Sequence, residues 1–359
     1  MSDNPKEVEK EMEKAIFISA DCWLKVFDLL PRSQLGFGIA MVSRRFDCFV
    51  DEHFKTRKWT LGKLQIRRKI GDNGTNEMEI TNANLESLPI PQNPLPNKVI
   101  GFRSILITFI DQNVLTFLGR FHRFSAKCAM NLFISTANVR ILEMVVLNFL
   151  PMFKDTIREM YLNPIAFRQM RQFASSMLID CPALRVVDFG GTFLPEFPPD
   201  DSANASDGQA VTKWLFTPHL ANLTKWFNIV ELAVDQWLAI VEQIKAAFSS
   251  ASSSVNFTIS LAFPPSSSLS VVVPFELINE FTQEKLTLSK EVEEEFEEEA
   301  EHDVKCFCLV RSPIVPDDQK RQKINQMGGQ WNKIDIHITD DGVDKSLLDD
   351  ASAWLSGDH

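Results

Sequence analysis

The sequence predicts an α+β protein, in which a small unit of three short helices precedes an irregular α/β domain that ends in antiparallel strands. Apolar residues recur at helical spacing over the first sixty positions, and short apolar runs alternate with turn residues from about residue 61 onward. The chain has 359 residues, of which 45% are hydrophobic and 24% charged, so it can bury a large core. We therefore assign the helical unit to residues 16–59, the strand-helix domain to 60–338 and a weakly ordered tail to 339–359.

The first helix is predicted over residues 19–30. Ser19 can cap its N-terminus, and Pro31 ends it because proline has no backbone N–H to donate. One face of this helix carries the apolar side chains of Trp23, Val26, Phe27 and Leu30. This face predicts that the helix packs against another part of the protein or against a partner.

Two further short helices complete the helical unit. Ser33 offers a second cap, and the helical spacing of the second helix is carried by Leu35, Ile39, Val42 and Phe46. Phe49, Val50 and Phe54 extend an apolar face toward Trp59. Three helices of this size have too little interior to bury all of these side chains, so we expect a second domain or a partner to cover some of them.

The larger domain is predicted to contain a sheet built from strand-helix units. After a strand at 61–70, strands are expected at 104–109, 131–134, 157–162, 184–189, 229–234 and 255–263. The strands from 104 to 189 recur about every 27 residues, with helix-capable segments between them, which is the spacing of a strand-helix repeat. Residues 157–162 and 181–189 suggest a degenerate leucine-rich-repeat-like unit. An irregular parallel sheet with helices on one face is the broader prediction.

The C-terminal part of this domain is predicted to begin with a helix and to continue as strands. The helix covers residues 237–249, because one stripe contains Trp237, Ile240, Val241, Ile244 and Phe248. Strands at 271–278, 285–289, 305–310 and 334–338 are expected to form an antiparallel cap or edge. Two segments are expected to interrupt the domain. Segment 198–208 is rich in Asp, Ser and Pro and precedes a helix that starts near Gln209, and the acidic run 291–301 is expected to be a mobile loop or a solvated helix.

The residues that carry chemistry do not converge in any persuasive spacing, so the sequence predicts no catalytic group, cofactor or metal. The best metal candidate combines His302 with Cys306 and Cys308, but the alternation around the cysteines favours a strand buried on both faces. The oxygen-rich segment 200–207 lacks the spacing of a calcium loop, and we interpret it as a turn that caps a helix.

Charge and cysteine content limit the partners and the compartment. The formal net charge of −11 argues against a general nucleic-acid binder or a binder of anionic membranes, since both need basic surface. The first sixteen residues lack the apolar core of a secretion signal, so the six cysteines are interpreted as reduced thiols. We expect the chain to act in the cytosol or the nucleus, without nucleic-acid or membrane partners.

Residues 16–59 resemble an F-box. Leu30 and Pro31, then Leu35, match its leucine-proline and following leucine, and 42–46 resembles its valine-cysteine-arginine-tryptophan stretch. The resemblance implies a non-enzymatic receptor that inserts apolar side chains into a Skp1-type adaptor, and through it joins a cullin ubiquitin ligase. The second domain would then present an unknown target protein. The candidate adaptor contacts are Trp23, Phe27, Leu30, Pro31, Leu35, Ile39, Val42 and Phe46.

Most of the chain, about residues 16–338, resembles the expanded F-box proteins of nematodes. The likeness is carried by the strings at 88–92, 94–102, 197–203, 213–218, 273–277 and 309–314. These strings imply a diverged F-box in front of one large partner domain, and they imply no chemistry. The surface near 200–208 is the candidate place for the target.

Two other interpretations stay open. The F-box of a pure recognition protein would no longer engage a ligase, and the missing opening Leu-Pro and the replacement of the family's tryptophan by Phe46 favour this version. A cryptic hydrolase would instead need a buried pocket in which Asp188, His219 or Cys181 converge with perturbed pKa values.

Overall fold

The computed structural model describes residues 18–30, 34–53, 59–60, 62–70, 76–82, 87–90, 99–119, 128–218, 223–264, 267, 269–290, 305–314 and 332–348. These residues form a mixed α/β fold around one large mixed sheet, so the predicted combination of helices and strands is confirmed. The predictions for Pro31, Ser33, His219, His302 and the acidic run 291–301 lie outside the described residues.

Three helical elements lead the described chain. Helix α1 (Ala20–Phe27) begins where predicted, since the Cys22 N–H donates to the Ser19 hydroxyl at 3.4 Å. Helix α2 is a π-helical turn, Leu35–Ile39, that continues into Ala40–Val42, and helix α3 is Arg44–His53.

The predicted second helix is too long, because the helical backbone geometry is interrupted at Ser43. The Ser43 backbone is extended (φ −163°, ψ 158°), and its hydroxyl accepts the Phe46 N–H at 3.3 Å. Serine at a helix start satisfies an N–H that has no partner within the helix. Ser43 therefore caps α3, and Phe46 belongs to α3 and not to α2.

The first six strands of the described chain follow the helical elements. Their bounds are β1 Trp59–Thr60, β2 Lys63–Ile70, β3 Asn76–Asn82, β4 Ser87–Pro89, β5 Val99–Gly101 and β6 Ser104–Ile107. The remaining strands are β7 Ala129–Ile134, β8 Ile157–Leu162, β9 Val186–Asp188, β10 Lys225–Ile229, β11 Phe257–Phe263, β12 Phe275–Asn279, β13 Glu284–Lys290, β14 Lys305–Pro313 and β15 Lys333–Ile338.

The large sheet has the order β12-β13-β14-β11-β10-β9-β8-β7-β15-β6-β2-β3-β4, and β1 pairs with β5 separately. Every pairing from β11 to β2 is parallel, while β12, β13 and β14 at one end and β3 and β4 at the other pair antiparallel. The antiparallel edge predicted from the late strands is confirmed for β12 to β14. The prediction is wrong for β15, which lies inside the sheet, parallel to both β6 and β7.

Helices connect the neighbouring parallel strands from β7 to β11, which follow one another in sequence order. Helix α4 (Gln112–Gly119) leads from β6 to β7, which β15 separates in the sheet, and the helices between the neighbouring strands are α5 (Val139–Met144, Val145–Phe149 and Leu150–Phe153), α6 (Pro164–Phe173), α7 (Asp207–Phe216) and α8 (Val234–Ser249). Connections between adjacent parallel strands are right-handed, so helices α5 to α8 all lie on the same face of the sheet. One face of this part of the sheet is therefore covered by helices α5 to α8, and these helices leave the other face uncovered.

The helix-covered face is the apolar core. One row across it joins Ile336, Leu132, Met160, Val187, Phe227 and Ile259, which are opposite one another in register and almost fully buried. The predicted stripe of α8 is confirmed, since all five of its residues are buried. Phe27, Leu35, Ala40 and Val50 of the helical elements belong to the same contiguous core.

Two further boundaries differ from the predictions. The strand expected at 229–234 is β10 at Lys225–Ile229, because Glu231 takes a left-handed backbone (φ 55°) and α8 begins at Val234. Buried Leu232 made the segment resemble a strand. Residues 340–348 were assigned to a weakly ordered tail, but Val343 pairs with Ile110 and its side chain is buried. Within the described ranges, no helix combines the length and apolar character needed to cross a membrane.

Candidate functional site

The helical elements hold a group of aromatic rings that sets their mutual arrangement. Trp23 meets Phe46 edge-on, with ring centroids 4.9 Å apart, and Phe46 meets Phe49 in the same way at 6.3 Å. The Arg45 guanidinium lies 5.2 Å from the centroid of Phe49 and donates to the Ile18 carbonyl at 3.5 Å. Edge-to-face rings are favourable at these distances, so α1 and α3 pack through aromatic contacts.

The predicted adaptor contacts divide into three groups. The side chains of Phe27 and Leu35 are only 1% exposed, so in this arrangement they stabilise the chain's own core. The side chain of Val42 is 68% exposed. Pro31 lies outside the described residues. Half-buried positions between these extremes are Trp23, Leu30, Ile39 and Phe46.

Three exposed apolar residues were not among the predicted contacts. Leu29 is 83% exposed, Val26 42% and Ile18 40%. Val26 lies on the predicted apolar stripe of α1 but is exposed, and Leu29 lies next to that stripe, so the stripe alone does not tell a buried apolar residue from an exposed one. Among the described residues of this region, the exposed large apolar side chains are therefore Ile18, Val26, Leu29 and Val42.

The loop at 196–208 is fixed by Arg171 of α6. The Arg171 guanidinium donates to Asp207 at 2.8 Å, to the Ala205 carbonyl at 3.0 Å and to the Ser202 carbonyl at 3.1 Å. Ser206 forms a capping box with Gln209 at the start of α7, so the predicted capping role of this segment is confirmed.

A cleft of about 500 Å³ lies beside this loop and includes Arg168, Thr192 and Glu196 in its lining. Hydrogen bonds from the Ser202 N–H and hydroxyl lower the pKa of the Asp200 carboxyl. Among the described residues, no group of three or more His, Cys, Asp and Glu side chains is placed to hold a metal ion. The hydrogen bonds from Arg171 and within the segment 200–202 fix the shape of the loop beside the cleft.

A second cavity, of about 140 Å³, contains a buried lysine. The Lys225 ammonium donates to the carbonyls of Trp214 and Thr217 at the end of α7, and burial lowers its pKa to about 7. Burial raises the pKa of Cys181, in the same lining, to about 12, which keeps the thiol protonated. Asp188 instead accepts hydrogen bonds from Asn228 and the Gly190 N–H, so its contacts are with the sheet and the following turn.

The sheet face opposite the core carries an aromatic stack. His337, Phe133 and Tyr161 are opposite one another on β15, β7 and β8. The rings of Phe133 and Tyr161 are 4.6 Å apart and almost parallel, at 4°, and the rings of Phe133 and His337 are also 4.6 Å apart, at 25°. All three side chains are half-buried, whereas their strand neighbours on the core side are buried.

Three carboxylates surround this stack. Tyr161 donates its hydroxyl to Glu159 at 3.0 Å, Asn131 donates to Asp335 at 2.9 Å, and Asp188 is opposite Tyr161 on β9. Burial raises the pKa of Tyr161, and the negative charges of Glu159, Asp188 and Asp335 raise it further. We name the six residues Phe133, Tyr161, His337, Glu159, Asp188 and Asp335 the acidic aromatic face.

Sequence reasoning missed the acidic aromatic face, although the alternation within each strand indicates which residues point away from the core. Its members come from strands far apart in the chain, and only the register of the sheet brings them together. The chain was compared with protein-family models, with curated proteins and with solved structures, and none of them matches it.

Proposed function

We propose that this chain is the substrate receptor of a Skp1-cullin-F-box type ubiquitin ligase and performs no chemistry itself. In this proposal residues 16–59 are a three-helix F-box that binds the adaptor, and the strand-helix domain, with leucine-rich-repeat-like units, binds an unknown target protein. On the basis of this role we assign the chain to the cytosol or the nucleus.

The exposed apolar side chains of the helical elements are the observation that carries this proposal. Leu29 and Val42 expose more than half of their surface, and Val26 and Ile18 expose about two fifths of theirs. Burying apolar surface yields roughly 25 cal/mol per Å², so a partner that covers these side chains gains free energy on binding. The F-box family that the chain resembles binds its adaptor through apolar side chains of this unit.

The proposal assigns different roles to the predicted contact residues. Val42, with Leu29 beside the leucine-proline stretch, supplies exposed apolar surface, while half-buried Trp23 and Phe46 pack against each other between α1 and α3. Phe27 and Leu35 hold the helices on the core. A charge introduced at Leu29 or Val42 therefore affects a partner, whereas a charge introduced at Leu35 affects folding.

Co-elution of the full chain with a purified Skp1-type adaptor on a size-exclusion column tests this proposal. We expect the wild type to form a complex that the double variant Leu29→Asp, Val42→Asp loses. The matched control is Met152→Asp, Ile165→Asp, which introduces the same charges at exposed apolar positions of the other domain. The control should co-elute like the wild type, and equal melting temperatures of both variants show that folding is intact.

A recognition protein without a ligase is the second candidate. Phe27, Leu35, Ala40 and Val50 are buried in one core with the sheet, and this observation favours helices that serve only to complete the larger domain. The second candidate predicts that folded wild-type chain elutes apart from the adaptor. Such a result would reject the ligase proposal and favour the recognition protein.

A further inference from the structure

The acidic aromatic face lies on the part of the sheet where parallel strands follow one another in sequence order. Because helices α5 to α8 share the opposite face, the side chains of this face are left half-buried by the described part of the chain. The register puts His337, Phe133, Tyr161 and Asp188 in one row across four strands. A ligand laid across the strands can contact all four.

A second row lies two residues earlier on β15, β7 and β8 and is polar, whereas β9 has Val186 at this position. Asp335, Asn131 and Glu159 are opposite one another there. Side-chain hydrogen bonds hold two of the carboxylates in place: Asn131 donates to Asp335, and Tyr161 donates to Glu159. The aromatic surface therefore has fixed negative charge on the neighbouring row and at its β9 end.

This combination suits a guanidinium group. Arginine stacks its planar cation on aromatic rings and pairs with carboxylates through two parallel N–H donors, whereas lysine offers a compact charge without a stacking plane. All three charges that act on the Tyr161 hydroxyl are carboxylates. Among the described residues, Lys333 lies on the same side of β15 and pairs with Asp335 at 3.3 Å, and it keeps 42% of its side chain exposed, so it can move aside.

We propose that the acidic aromatic face binds an arginine-containing basic segment of the target protein. The net charge of −11 over the chain adds long-range attraction for such a partner and opposes an acidic one. The inference rests on the proposed function only in naming the occupant a ligase target. Binding of the segment itself does not require the adaptor.

A fluorescein-labelled nona-arginine peptide provides the test, with anisotropy as the readout and the full chain as the titrant. The double variant Glu159→Gln, Asp188→Asn removes two charges and keeps one acceptor oxygen at each position, for Tyr161 and for Asn228, while the Gly190 N–H loses its acceptor. We expect the dissociation constant for the peptide to rise about tenfold or more. The control Glu242→Gln, Glu280→Gln removes two exposed charges elsewhere and should change the constant less than about twofold.

The aromatic part is tested with Tyr161→Leu, which should weaken nona-arginine about fivefold and nona-lysine less than about twofold, because only the guanidinium stacks. Equal weakening by both charge variants would overturn the proposal, since it would show only attraction to the net charge. Unchanged binding by the face variant, or Tyr161→Leu acting equally on both peptides, would also overturn it. Co-elution with the adaptor is measured separately on the same variants, so a failure here leaves the adaptor result standing.

Discussion

Replacing Arg311 by methionine should destabilise the protein strongly, because it breaks a buried ion pair. Arg311 is 1% exposed and Glu284 is fully buried, and the guanidinium donates to the carboxylate at 2.7 and 3.1 Å. The other carboxylate oxygen accepts the Val255 N–H and the Ser254 hydroxyl, both at 2.7 Å. The pair thus joins strands β13 and β14 to the chain that enters β11.

The magnitude follows from what the variant leaves behind. Methionine keeps much of the packing volume near Phe248, whose ring centroid lies 5.3 Å from the guanidinium. It leaves the Glu284 carboxylate buried without its cation, and loss of one partner of a buried pair costs about 3–5 kcal/mol. We therefore expect the free energy of unfolding to fall by about 3–5 kcal/mol.

Urea unfolding measures this loss, with Lys285→Met as the matched control. Lys285, the neighbour of Glu284 on β13, pairs with Glu276 of β12 at 2.9 Å in a partly exposed position, so its loss should cost at most about 1 kcal/mol. Adding Glu284→Leu to Arg311→Met removes the second charge and should restore about half of the lost stability or more. A loss from Arg311→Met no larger than that of the control would refute this reasoning.

Three further predictions concern the backbone and one buried amine. Burial lowers the pKa of Lys225 to about 7 from 10.5, so the unfolded chain binds more protons than the folded one between these values, and stability should rise with pH there. Urea unfolding should show that the free energy of unfolding rises by roughly 2 kcal/mol from pH 7 to 9, and Lys225→Met should remove this rise. An equal rise in the variant would contradict the assignment to Lys225. Gly101→Ala should cost about 2 kcal/mol or more, because its φ is 147° and a Cβ would lie 1.9 Å from Asn332 Oδ1, whereas Gly119→Ala, with open space around it, should be near neutral in the same unfolding assay. Ser43→Ala removes the cap of α3 and should cost about 1 kcal/mol, while Ser43→Asp should retain the stability of the wild type; equal melting temperatures for Ser43→Ala and the wild type would contradict the capping role.

Periodicity predicts the elements whose burial is one-sided. The stripe of α8 and the Ser19 cap of α1 are both visible in the sequence, because local spacing alone determines them. The place of β15 is not visible, since its alternating residues indicate one buried face but not which strands lie beside it. Insertion of β15 between β6 and β7 depends on a contact between residues more than two hundred positions apart, which no local pattern encodes.

The candidate site has the same limit. The stripe of α1 correctly marks apolar side chains, but it cannot tell a residue that the protein buries in itself, such as Phe27, from one that a partner would bury. Leu29 follows the stripe and was overlooked for that reason. The acidic aromatic face needed the register of β7, β8, β9 and β15, although the outward position of Tyr161 and Glu159 on their strand follows from alternation.

The most direct test of the ligase proposal is isothermal titration of a purified Skp1-type adaptor into the full-length chain at several temperatures. We predict one-to-one binding with a negative heat-capacity change, because the exposed apolar side chains around Leu29 and Val42 would become buried. The Leu29→Asp, Val42→Asp variant should show no binding heat. Absence of binding heat at every temperature with folded wild-type chain, together with separate elution of the two proteins, would contradict the proposal.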